Sequence, residues 1–451
     1  MSSIYWPFAV LGIAVITIVL FITKLKVHPF LSLMTSAIIV GLLSVDLPGD
    51  SATHHWLRAV KLPMQEFGRT AGGIAWVIAL AALIGTAMMG SGAAQRLVTA
   101  LLHVFGESRA AWALLVSGFI LSIPVFFDTV FFLLIPLAIG LALKTGKNFV
   151  LYVIAICAGA VITHSMVAPT PGPLLMAETL KIDLGLTIIA GISAGVIPSV
   201  LAIQIGKIQD KRLNIPVRLI ENHQNLEKTP SLFSSLLPIL IPVVLISAVS
   251  IIGVATGSVP PFLEFLGNKN IAMALGTIAA LYSWKSIANI AIEELWARCV
   301  KPLEIAGIII LITSAGGAFG AMIKHSGVGS AIEALTSGIG LHFVVLAWLI
   351  SAVMKTAQGS TTVAVITAAS IMYAIVGDGA SLPYHPIYIY LAIGFGGGFV
   401  SWMNDSGFWI VSKLSGFTQK EALQTWTLMF ACIALIGLFE VLLLSYILPL
   451  K

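Results

Sequence analysis

Asp128 lies in SIPVFFDTVFFLLIP (122–136), a carboxylate among phenylalanines and bracketed by Pro124 and Pro136. A charge in so apolar a run is costly unless something pairs with it or solvates it. Pro124 removes a helical hydrogen bond just upstream. Asp128 then falls near the start of the returning helix, where the dipole favours an anion. The chemistry this suggests is a cation or proton site, against a plain helix cap. Three further clusters share this mix of polar groups and helix breakers. THSMVAPTPGPL (163–174) holds His164 and Thr170 among three prolines. His164 titrates near neutral pH and is read either as a donor to a carboxylate or as a packed helix-end residue. KTAQGSTTVAV (355–365) offers Gln358, Gly359, Ser360, Thr361 and Thr362. Gly359 permits close backbone approach, and free amides and hydroxyls at a helix start bind anions. Lys355 is read as snorkelling to an interface rather than pairing with an anion. WMNDSGFWIV (402–411) contributes Asn404 and Asp405. These suit a cation or a polyhydroxylated ligand and also the start of a short helix.

The surrounding chain explains where such clusters sit. Its 451 residues are 58% hydrophobic and 10% charged, with a mean hydropathy of +1.03. Soluble domains carry roughly 25% charged residues. The solvent is therefore a bilayer, and spans of about 20 apolar residues should recur. They read at 4–22, 29–45, 72–90, 148–163, 184–206, 232–256, 303–323, 386–402 and 424–447, with a shorter candidate at 270–283. At membrane depth an acid marks an ion or proton path by default, and irregular backbone is tolerated only beside protein or a watery cavity. The four clusters should thus line one cavity.

Net charge of +5 sets topology rather than indicating nucleic acid. Cys157, Cys299 and Cys432 are scattered, so neither a disulfide framework nor a zinc site follows. Lys24 is the first positive charge and follows the first apolar run, which reads as an uncleaved helix. HExxH is absent and no nucleophile motif pairs with a base, so an enzyme is not expected; an intramembrane protease is the remote alternative. Trp6, Trp56, Trp284, Trp296 and Trp426 read as interface anchors. Glu178 is expected at the external interface beside Lys181 and Asp183; Glu440 is a relay or a packed contact in the last helix.

The halves resemble each other. GTAMMGSGAAQRLVTAL (85–101) aligns without gaps to GAMIKHSGVGSAIEAL (320–335) at an offset of 235, and the breaks recur in the same order. Residues 1–70 form N-terminal helices and an external loop, and 71–206 a first repeat with a cytoplasm-facing re-entrant hairpin. A polar linker at 207–231 is cytoplasmic. Linking helices and an amphipathic segment (285–302) fill 232–302, and 303–451 is a second, inverted repeat. This arrangement places most Lys and Arg inside. The fold class is all-α and polytopic, with about 10–12 transmembrane helices and two inverted repeats, each with a re-entrant hairpin and a broken helix. Inverted repeats with broken helices meeting near the midplane mark secondary transporters.

SGAAQR (91–96), THSMVAPTPGPL (163–174), AQGSTTVAVITAAS (357–370) and NDSGFWIVSKLSGFTQKEALQTWTL (404–428) resemble the gluconate:proton symporter (GntP) permeases over nearly the whole chain. The resemblance implies an ion-transporter-superfamily fold, a homodimer and elevator-like motion. It departs at Ala168, Thr170 and Asp128-Thr129-Val130, where gluconate-type members carry other residues, so the family alone does not name the substrate. The expected function is proton-coupled symport of a small organic anion, a sugar acid such as gluconate, with no cofactor or bound metal. Substrate binding is assigned to His164, Thr170, Gln358, Gly359, Ser360, Thr361, Thr362 and Asn404, and coupling to Asp128 and Asp405. Alternatives are a D-serine-type amino-acid permease of the same family and a sodium-coupled carboxylate transporter. The expected location is the cell membrane, crossed many times.

Overall fold

The computed structural model describes residues 5–48, 54–124, 127–218, 229–328, 331, 342–403 and 405–450. Every regular element among them is helical. Among the described residues, eight helices are long and apolar enough to cross a membrane. A ninth candidate is the pair Ala93–Phe105 and Glu107–Leu121, bent by 107°. Five shorter apolar helices accompany them: Trp6–Ile22, Pro29–Leu43, Phe343–Ala357, Thr361–Val376 and Ile387–Gly396. The ten to twelve spans read from apolar runs resolve into these two groups, because prolines, glycines and Asx residues divide several runs into pieces shorter than a bilayer.

Two long helices, His55–Gly90 and Ile292–His325, make the most extensive helix pair among the described residues. Each is longer than its apolar run. The segment expected as an amphipathic helix at 285–302 is divided instead. Its start closes Lys269–Ala288, Asn289 turns the chain at φ 49°, and its remainder opens Ile292–His325. A left-handed residue ends one helix and lets the next start in a new direction.

The internal likeness reaches the level of single hydrogen bonds. Ser91 and Ser326 end the two long helices, and Gly92 and Gly327 follow at φ 74° and 82°. Ser91 N–H donates to Ala87 O, and Ser326 N–H to Met322 O; Arg96 N–H donates to Gly92 O, and Ala331 N–H to Gly327 O. Donors and acceptors all differ by 235. A β-carbon is disfavoured at positive φ, so glycine at both sites is required for the turn. Pro29–Leu43 packs on Ile292–His325, while Lys269–Ala288 packs on His55–Gly90, each helix covering the other half's long helix.

A hairpin follows each long helix. Ala110–Leu121 and Phe127–Thr145 make the first, and Phe343–Gln358 and Thr361–Val376 the second. Their leading arms pack on Phe149–Met166 and Ile387–Gly396 respectively. Their returning arms differ. Thr361–Val376 lies firmly against Ile292–His325, with Ser370 Oγ donating to Gly316 O at 3.4 Å. Phe127–Thr145 makes at most marginal contact with His55–Gly90 among the described residues. A cavity of about 200 Å³ lies there instead, between Ala81, Ala82, Gly85 and Thr86 on one side and Pro124 and Thr129 on the other.

Candidate functional site

The four sequence breaks meet. One cavity of about 650 Å³ is lined by Asp128 and Thr129, by His164, Ser165 and Pro171, by Gly359 to Thr362, and by Asp405 to Gly407. Ile305, Ile309 and Ile312 of the long second-half helix close it, with Phe127, Val161, Trp426 and Phe430.

Each break ends by starting a helix that points into this space. Phe127–Thr145 begins at the cavity wall with Asp128 in its first turn. Thr361–Val376 begins after Ser360, whose Oγ accepts from Val363 N–H at 3.3 Å. Gly359, at φ 85°, ends the preceding arm in the left-handed region. Ser406–Ser415 begins after Asp405, whose Oδ1 accepts from Gly407 N–H at 2.8 Å. Pro171–Thr179 begins at Pro171, which also lines the cavity. Four helix N-termini therefore face one space. Their dipoles together favour negative charge, and amides add to this at the ends other than Pro171–Thr179, where Pro171 and Pro173 carry no N–H.

The wall carries two carboxylates in different situations. Asp128 is exposed to the cavity and has no ion-pair partner among the described residues. Asp405 is mostly buried and bound to Lys355 Nζ at 2.5 Å. The reading of Lys355 as a snorkelling interface residue is overturned: its side chain is 1% exposed, and Nζ also donates to Gly359 O at 2.5 Å. A snorkelling lysine needs a path to water. Here both the stem and the ammonium lie inside, where Asp405 and a freed carbonyl receive it. Ser401 Oγ donates to the same Asp405 Oδ2, and Trp426 Nε1–H donates to Ser401 Oγ at 2.8 Å.

Phe149–Met166 is buried at every residue except His164, which faces the cavity. Thr170 is not at the wall. It is 3% exposed, and its hydroxyl donates to Val167 O at 2.8 Å and His164 O at 3.2 Å. Asn404 and the side chain of Gln358 lie outside the described residues. Trp284 and Trp426 are not interface anchors, being 4% and 2% exposed. Trp426 packs on Phe127 and Phe430, with centroids at 5.1 and 4.2 Å. It sits in a π-helical turn, Leu423–Thr427, a feature that composition does not reveal and that often marks functional sites. Ser165, Ser406 and Thr129 also went unassigned as site residues from sequence, though each stands beside an assigned one.

Glu178 does not stand free at an interface. It pairs with Lys269, whose Nζ also donates to Gly73 O at 2.9 Å, and so ties Pro171–Thr179 to two other helices. Glu440 is half-buried, with Oε2 lacking a hydrogen-bond partner among the described residues. From the start of the expected linker, Arg218 reaches Glu421 through two bonds of 2.7 Å, at the capping box of Thr418 and Glu421.

A family model described as GntP family permease matches residues 6–447. The low-affinity gluconate transporter of Escherichia coli K12 is 31% identical over 94% of this chain and 95% of its own length. The gluconate permease of Bacillus subtilis is 28% identical over 98% of this chain and all of its own. Among solved structures, the YdaH transporter of Alcanivorax borkumensis superposes with a TM-score of 0.68 at 16% identity, covering 94% of this chain and 98% of that one.

Proposed function

The chain belongs to the GntP family of permeases, a multi-pass membrane protein, and on that premise we propose that it carries a sugar acid of the gluconate kind in symport with protons. The observation that carries this reading is the meeting of four helix N-termini around one cavity that also holds two carboxylates. Amides and hydroxyls of Ser360 to Thr362 receive the substrate carboxylate. Hydroxyls and ring nitrogens from Thr129, His164, Ser165 and Ser406 receive its hydroxyl groups. The cavity volume of about 650 Å³ is ample for a six-carbon acid.

Asp128 carries the coupled proton. It is the carboxylate without an ion-pair partner among the described residues, whereas Asp405 is already neutralised by Lys355. Protonation removes its charge before the loaded site crosses a low-dielectric barrier. The movement is elevator-like, with hairpins and broken helices travelling against the two long helices. The unequal seating of the two hairpins supports this, since one is packed against its long helix where the other leaves a gap. The repeats are inverted, with the 207–231 linker cytoplasmic, and two copies assemble as a homodimer.

A second reading is favoured by Asp128 itself. An unpaired carboxylate near anion-binding helix ends also suits a zwitterion, so a D-serine-type substrate belongs in the same assay. Purified protein in liposomes loaded with a pH-sensitive dye separates these readings. Gluconate should drive proton entry, and Asp128→Asn should abolish that entry while substrate binding survives. Normal coupled uptake by Asp128→Asn would leave Asp128 as a helix cap, and uptake of D-serine alone would replace the substrate class. Labelling of a linker cysteine from outside intact cells would reverse the orientation.

A further inference from the structure

We propose that the Lys355 ammonium is a resident cation, occupying the position at which a hard metal ion would otherwise bind, so that this site needs no sodium. The inference rests on the transport reading but concerns a group that reading leaves unused. Lys355 Nζ contacts Asp405 Oδ2 and Gly359 O, each at 2.5 Å. Ser401 Oγ lies on the same carboxylate oxygen. A carboxylate, a freed backbone carbonyl and a hydroxyl are the oxygen donors that hard cations take from proteins.

The helix ends say the same. Lys355 is in the last turn of Phe343–Gln358, whose carbonyl end is the negative pole, and Gly359 O belongs to the break beyond it. Asp405 caps the positive end of Ser406–Ser415. In transporters, unwound carbonyls and half-helix C-terminal ends hold the coupling ion, while N-termini hold the anion. The ammonium sits at the C-terminal end and the substrate cavity at the N-terminal ends. A tethered cation fills the ion's place permanently and joins the second hairpin to the second broken helix.

Removing the tether should open the site to a free ion. Lys355→Ala leaves Asp405, Gly359 O and Ser401 facing a space the size of the lost side chain. The first measurement is thermal stability of purified protein in sodium chloride against choline chloride, which needs no transport and no substrate. Lys355→Ala should gain about 2–3 °C at sodium concentrations near 100-fold above its Kd. Wild type should show no such gain. In liposomes, Lys355→Ala should transport gluconate at least about tenfold more slowly in choline than wild type, with sodium restoring part of the rate.

A folded Lys355→Ala protein indifferent to sodium overturns the proposal, and so does an equal sodium gain in wild type. Should Lys355→Ala not be recovered folded, Lys355→Ala/Asp405→Asn decides. Recovery of that double variant identifies the lysine as the charge Asp405 requires. Loss of both assigns the lysine to packing and refutes the proposal. Failure of wild type to move gluconate would instead refute the gluconate reading, leaving the stability result to stand alone.

Discussion

The two broken helices sit at matching places in the chain and are held differently. Phe149–Met166 breaks before Pro171–Thr179, and Ile387–Gly396 breaks before Ser406–Ser415. Thr170 and Asp405 occupy the same N-cap place, 235 residues apart. Thr170 closes its own break by donating to Val167 O and His164 O, with prolines at 169 and 171 fixing the backbone. Asp405 reaches outward, to Lys355 on the second hairpin and to Ser401, which Trp426 and Thr427 hold from the last helix. One break is a local matter of backbone and hydroxyl. The other is a junction of three elements held by charge. Two breaks at matching positions can therefore share a geometry while only one of them is tied by charge to another element.

Asp405→Ala tests this contrast most severely. It leaves Lys355 buried without its counter-charge, which costs about 3–5 kcal/mol; denaturant unfolding of purified protein should register it, and uptake should vanish. A loss below about 1 kcal/mol would mean that the second break is as self-contained as the first. Thr170→Val removes a buried hydroxyl and leaves two carbonyls short of a donor, an expected loss of about 1–2 kcal/mol. Its KM for substrate should stay within roughly threefold of wild type, equivalent to less than about 1 kcal/mol. A raised KM with unchanged stability would instead put Thr170 at the cavity wall. Trp426→Phe keeps the ring stack and removes one donor to Ser401. The expected cost is about 0.5–1.5 kcal/mol, with a change in uptake that Thr170→Val does not produce if Ser401 helps set Asp405.

Much of the site was legible because helix breakers are local. Pro124, the prolines at 169, 171 and 173, Gly359 and the Asn404-Asp405 pair each announce an interruption without any knowledge of neighbours. The offset of 235 was visible for the same reason, since Ser-Gly at 91–92 and 326–327 is a turn requirement written into residue type. Lys355 was misread because its partner lies 50 residues away, and a lysine near a helix end is ordinarily a lysine at an interface. Trp426 was misread alongside it. Its burial depends on Phe127 from the first half, and no window of sequence contains both. Thr170 was placed among ligands on hydroxyl chemistry alone, and the backbone of its own turn claimed it first.

The seam between hairpin and long helix carries a last implication. Thr361–Val376 meets Ile292–His325 across Gly316 and Gly320, where a β-carbon would stand 2.1 Å from Ile366 and 2.2 Å from Ser370. Ala81 and Gly85, 235 residues earlier, border the small gap beside Pro124 and Thr129. A motion that filled this gap while parting the other seam would exchange one interface for its duplicate. Spin labels at Thr86 and Thr129 should then report two populated distances whose ratio shifts with substrate, and a single distance throughout would deny the exchange. If two such ends were built from the same parts, they would lie close in free energy, neither would be a thermodynamic trap, and a modest gradient would suffice to set the direction of travel.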